Sequence, residues 1–286
     1  MLATYHDTFA RWSSRVMYAL CVSSALAIIA FLVLVAGYLL SKGFSSLSLD
    51  FFTQVPIAHG MSGYPGGMKN AIAGTAVLVG LASAIGIPIG ILAGVYLAEY
   101  EVGSRLAAPL RFVCDVLSGV PSIVVGILGY ELLVVPLGGN NAVAGAAALA
   151  FIMIPLVART TEEMLRLVPG SYREASIALG ATKAGTILRV VIPSATGSVV
   201  TGIMLAIARI AGETAPLLFT ALGSRFLETD LRRPFPSLTV QIYTYATGPY
   251  AEEKRQAWVG ILVLIGLIFT LNLTIRFATR RSKPAV

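Results

Sequence analysis

Charge is scarce in this sequence. Asp, Glu, Lys and Arg make up 12% of its 286 residues, about half the share found in an ordinary soluble domain. A chain that is 56% hydrophobic has too little polar surface for a water-soluble fold, so the bilayer is its natural solvent. Only two cysteines occur, Cys21 and Cys114. They are far apart and neither has a neighbour at CxxC spacing, which excludes a redox dithiol, and both read as small core residues. The two histidines, His6 and His59, fall in different polar segments, so no histidine metal site is assigned. A Ser with a His, or a pair of Asp residues, within the apolar runs would suggest intramembrane proteolysis, and neither is present. No Gly-x(4)-Gly-Lys-Ser/Thr loop occurs either; the nearest string, Gly180 to Lys183, has the wrong spacing to cradle nucleotide phosphates. The net charge of +7 sits at the ends of apolar runs instead of in one patch interleaved with aromatics, which argues against nucleic acid as a partner.

Apolar runs are what the chain has in abundance. A run that crosses a hydrocarbon core of about 30 Å needs about 20 mostly apolar residues, and six can be placed, near 16–40, 71–97, 117–135, 142–158, 198–222 and 257–277. The expected architecture is an all-α integral membrane protein: a short segment 1–15, a membrane domain 16–277 and a tail 278–286. The first run exceeds the apolar core of a cleavable signal peptide, about 7 to 15 residues, and is expected to remain as an anchor. Six crossings put both termini on one side. Basic residues resist translocation, and placing the termini in the cytoplasm puts thirteen of them inside, among them Arg11, Arg105, Arg159, Arg173 and Arg280, against seven outside. Five of those seven, Arg225, Arg232, Arg233, Lys254 and Arg255, follow the fifth run, a departure that charge alone does not explain. In the second run Gly86, Gly90 and Gly94 recur at helical spacing and predict a close helix-packing face, with a kink at Pro88.

Between the fourth and fifth runs lies an amphipathic stretch, 159–193, expected to form a helical hairpin. It contains Arg173-Glu174-Ala175-Ser176, then Gly180, then nine residues before Val190-Val191-Ile192-Pro193. A short helix from about 172 to 179 would stop at Gly180, a residue suited to a left-handed cap. Pro193 would then open the next helix, where its missing amide costs nothing. The spacing resembles the coupling motif of ABC importer permeases, Glu-Ala-Ala, three residues, Gly, nine residues, Ile-x-Leu-Pro. The second Ala is replaced by Ser176, and Val190 and Ile192 are aliphatic swaps. The resemblance implies that Glu174, Ala175 and Gly180, with Arg173 beside them, contact a separate ATPase.

The fifth run holds two charges, Arg209 and Glu213. A central charge costs about 2.5 to 3.5 kcal/mol to insert, so a retained pair should face a bundle interior or an aqueous cavity. Four residues apart, the two share one helix face. One reading is mutual neutralisation. The other is that the Arg209 fork binds an anion, since a guanidinium matches phosphate oxygens bidentately and does not titrate.

The string Arg209-Ile-Ala-Gly-Glu-Thr-Ala-Pro-Leu-Leu, with Gly74-Thr75, the segment from Ile87 to Tyr100, and Gly119-Val-Pro-Ser-Ile-Val124, resembles the phosphate-specific permeases of ABC importers, the PstA type. That resemblance implies a six-helix type I importer permease of the bacterial cytoplasmic (inner) membrane, and no enzyme activity of its own. It implies a second related permease, two copies of an ATPase subunit that binds ATP and Mg, and an extracytoplasmic phosphate-binding protein. Arg209, Glu213, Thr214, Thr75 and Ser122 are then expected along the phosphate path. The long segment 223–256 could dock the binding protein or cap the bundle.

Overall fold

The computed structural model describes residues 2–57, 66–100 and 105–280, and these are overwhelmingly helical. His59, Arg281 and Lys283 lie outside the described residues. Among the described residues, five helices are long and apolar enough to cross a membrane: Arg11–Phe44, Lys69–Glu99, Ala142–Arg166, Lys183–Ala211 and Ala251–Thr274. A sixth crossing is made only if the bent pair Ala107–Gly119 and Ser122–Val134 counts as one span. We name them α1 (Leu2–Phe44), α3 (Lys69–Glu99), α4 (Ala107–Gly119), α5 (Ser122–Gly129), α6 (Ala142–Arg166), α9 (Ile192–Ala211) and α12 (Ala251–Arg280). The short helices are α2 (Asp50–Thr53), α7 (Gly170–Ala178), α8 (Lys183–Thr186), α10 (Ala215–Thr220) and α11 (Leu238–Thr247).

The third expected span, 117–135, is therefore not one straight helix. The chain bends by 102° between Gly119 and Ser122, because Pro121 disfavours helical geometry at the residue before it, and Val120 sits extended at ψ 130°. The fifth, 198–222, is also displaced. A helix capped by the Thr182 hydroxyl, which accepts from the Gly185 amide, runs from Lys183 to Ala211 and stops at Gly212. Pro193 stands in the first turn of α9 as expected, although that helix is continuous with the turns before it. A π-turn, Ile187–Val191, directly precedes α9, a single wide turn of the kind that accommodates a disruption in the helical hydrogen-bond ladder.

The interior is organised by α3 against α6. A β-carbon on Gly90 would lie 2.7 Å from Val157, and one on Gly94 would lie 2.6 Å from the Ala158 carbonyl and Thr161. The glycine stripe thus lets two backbones meet where side chains would hold them apart. The central core joins Leu78 and Ala82 of α3, Met153 and Val157 of α6, Ile203 and Ile210 of α9, and Leu217 of α10. By contrast α1 is largely exposed and packs against α12, with Tyr38 edge-on to Trp258 at 5.5 Å. Cys114 is buried, but Cys21 faces outward from α1, so only one of the two cysteines is a core residue.

The segment after α10 crosses one end of the bundle. The Leu231 carbonyl accepts from Ala142 N and the Ala221 carbonyl from Phe235 N. Phe51, Met68, Leu238 and Tyr245 then close a second core over the start of α3 and α12, where burial raises the Tyr245 phenol above its usual pKa. Residues 235–240 of the segment are thus buried against the bundle.

Candidate functional site

Two groups of polar residues stand out, one at helix breaks inside the bundle and one at the hairpin. Arg209 occupies the last turn of α9. Beyond it Gly212 turns the chain, its amide donating to the Arg209 carbonyl at 3.1 Å, and Glu213 lies in the non-helical step before α10. The Arg209 guanidinium is 3.7 Å from the Glu213 carboxylate, yet it is 55% exposed against 14% for Glu213. Such a pair is loose: the cation remains available to another anion. A break of this kind in a membrane protein is tolerated where backbone groups are buried in protein or line a cavity.

Arg209 opens onto a small cavity of about 70 Å³ at the bend between α4 and α5, lined also by Leu117, Ser118, Val120, Ser122, Ile152 and Leu156. The fold thereby brings Arg209 and Ser122 together from separate helices. Ser118 joins them without having been expected, and two serines flanking Gly119-Val120-Pro121 are the signal that could have found it; its hydroxyl donates to the Cys114 carbonyl at 2.8 Å and keeps acceptor capacity. Thr75 is not in this group. Its hydroxyl donates to the Ala71 carbonyl at 2.9 Å and accepts from Leu238 N at 2.8 Å, pinning α11 to α3. Thr214 begins α10 without lining the cavity. Glu213 is held in place through its carbonyl, which accepts from the Thr239 hydroxyl at 2.9 Å.

One buried carboxylate was not anticipated. Glu162 of α6, 2% exposed, is surrounded by Arg111 at 2.7 Å, Arg166 at 3.0 Å and Arg159 at 3.4 Å. Arg159 also reaches Asp115 at 3.1 Å. Arg159 and Arg166 stand three residues before and four after Glu162, a spacing that places all three on one helix face. The contribution of Arg111 from α4 has no local sequence signal.

The hairpin ends as expected. Gly180 has φ +87°, its amide donates to the Ile177 carbonyl at 2.9 Å, and Ala181 N donates to Ser176 O at 3.2 Å, which closes α7 with a left-handed cap. The two arms are joined by the Ser176 and Thr186 hydroxyls at 2.9 Å. Glu174, Ala175 and Gly180 are exposed. A groove of about 670 Å³ runs along the hairpin past Tyr172, Ala175, Leu179 and Leu188, and Leu179 is 88% exposed. Apolar side chains displayed on a polar hairpin suit a protein partner. Arg173 differs from its neighbours, since its guanidinium is taken up within the chain by Glu99 and by carbonyls of Leu165 and Val168.

A broken-helix bundle with a projecting hairpin defines a class. Residues 86–286 match the family described as binding-protein-dependent transport system inner membrane component, and the chain belongs to that family of multi-pass transport permeases. Solved structures agree on the fold: an inward-facing MetNI methionine ABC transporter superposes with TM-score 0.64 at 18% identity, covering 80% of this chain and 100% of that one. A bacterial ABC transporter that imports alginate gives 0.63 at 14%, covering 93% and 95%. Within the family the chain is of the phosphate transport permease type. It is 42% identical to the phosphate transport system permease protein PstA of Yersinia pestis, over 96% of this chain and 92% of that one. It is 44% identical to PstA of Xylella fastidiosa over 86% and 85%.

Proposed function

We propose that this chain is the subunit through which phosphate crosses the membrane in an ATP-driven importer. It forms one half of the path, beside a second related permease. Two copies of a separate ATPase, which bind ATP and Mg, dock at the hairpin, and an extracytoplasmic binding protein delivers phosphate on the other side. Both termini then lie in the cytoplasm. The observation that carries the reading is Arg209, a guanidinium kept half-exposed at a helix break and opening onto a cavity with Ser118 and Ser122. Its fork supplies two parallel donors to an oxyanion, and the loose Glu213 pair keeps the site weak enough for the ion to leave. Thr214 precedes α10 and Thr75 fastens α11 to α3, so both support the path instead of contacting the ion. Closure of the ATPase dimer opens the cavity outward, and hydrolysis resets it.

The test is uptake by the purified complex in vesicles that contain ATP, with phosphate offered against sulfate and molybdate. Phosphate accumulation that depends on ATP and is not displaced by the other two anions is expected. Preference for sulfate or molybdate would assign the chain to a different oxyanion. Uptake without ATP would make it a channel.

A further inference from the structure

The C-terminal end of α3 is held from three directions, two by the hairpin and one by the last residue of α6. The Arg173 guanidinium meets the Glu99 carboxylate with its Nε at 3.2 Å from both oxygens and a terminal nitrogen 2.5 Å from Oε1. The Lys183 ammonium sits 4.5 Å above the Tyr100 ring. The Arg166 guanidinium points at the Leu97 carbonyl at 3.5 Å. Below these contacts Leu165, Val168, Val191 and Ala195 form a small core that also takes in Val95 and Ala98 of α3. Glu99 is 6% exposed and Arg173 23%, so the pair is far more shielded than Arg209 with Glu213. The same guanidinium donates to the carbonyls of Leu165 at 2.9 Å and Val168 at 2.7 Å, which lie in and just past the last turn of α6, where carbonyls lack helical partners.

One side chain of the hairpin helix therefore ties the ends of the two helices whose glycine seam forms the centre of the bundle. We propose that Arg173 is a positioning residue, a strut through which displacement of α7 by the ATPase is delivered to α3 and α6, with Glu99 as its seat. The neighbouring Glu174 and Ala175 face outward and make the contact; Arg173 faces inward and carries the movement. A planar, bidentate joint suits this role, because it resists rotation as well as separation. The inference rests on the hairpin being the ATPase contact.

The experiment compares the wild-type complex with Glu99→Gln, Arg173→Gln, Arg173→Lys and the exchange Glu99→Arg with Arg173→Glu. Each is purified with its ATPase, reconstituted, and measured for ATPase retained, ATP hydrolysed and phosphate imported. With the strut removed, ATPase retention and hydrolysis stay within about twofold of wild type while phosphate imported per ATP falls at least tenfold; the exchange recovers part of that ratio, and Arg173→Lys recovers less than the exchange. An unchanged ratio in both Gln variants overturns the proposal. So does loss of the ATPase from Arg173→Gln but not from Glu99→Gln, which would make Arg173 a docking residue. If wild type itself shows no ATP-linked phosphate uptake, the reading of the function fails, and that result is separate from either outcome.

Discussion

Replacing Arg209 with Gln separates an anion site from a merely neutralised pair, because the two readings assign the lost energy to different processes. At 3.7 Å and an effective dielectric constant of about 20, the attraction between Arg209 and Glu213 is about 4.5 kcal/mol before screening. Arg209 is 55% exposed, and exposed pairs retain only about 0.2 to 1 kcal/mol, so folding and assembly should be nearly untouched. Transport should respond very differently. Each hydrogen bond from a charged donor is worth about 1.5 to 3 kcal/mol; losing the charged fork while keeping one neutral amide donor removes about 3 kcal/mol from a passing phosphate, or about 150-fold in rate. Arg209→Lys keeps the charge without the fork and should lose about tenfold. Initial phosphate uptake into vesicles, normalised to assembled complex, measures both. Uptake by Arg209→Gln within about threefold of wild type would refute the reasoning.

Glu213→Gln should import phosphate but discriminate less against sulfate, because phosphate near neutral pH keeps a hydroxyl that a carboxylate can accept and sulfate has none; competition uptake reads this. Gly90→Leu should destabilise the complex by about 1 to 3 kcal/mol through overpacking, since even a β-carbon would meet Val157 at 2.7 Å, and thermal unfolding in detergent should show it. Gly180→Val places a β-branched residue at φ +87°, at a cost of about 1 to 2 kcal/mol, and should reduce the ATPase that copurifies.

The apolar runs are legible because a bilayer crossing demands continuous apolarity, whatever else the helix does. Breaks are less so. Gly119-Val120-Pro121 carries a proline signal for the bend, but a hydropathy window as long as a crossing, about 19 residues, averages across it. The π-turn at Ile187–Val191 has no compositional mark, so spacing places Pro193 at a helix start but does not show that the helix is continuous with the turns before it. At the site, Arg209 is legible because a guanidinium in an apolar run is conspicuous. Its cavity partner Ser118 depends on the α4–α5 bend, and the inward turn of Arg173 depends on Glu99, 74 positions away. Thr75 shows the opposite failure: a hydroxyl in a membrane helix usually satisfies a nearby carbonyl, and this one does so while also fastening a second helix.

The first helix has a consequence of its own. Within Arg11–Phe44 the uncharged stretch 16–41 has 26 residues, about 39 Å at 1.5 Å per residue, against a hydrocarbon layer of about 30 Å. It must lean or carry its ends among the headgroups, and a thinner bilayer demands a greater lean. Since Tyr38 meets Trp258, any change of lean is felt by α12. Bilayers of shorter and longer lipid chains should therefore load the α1–α12 contact differently.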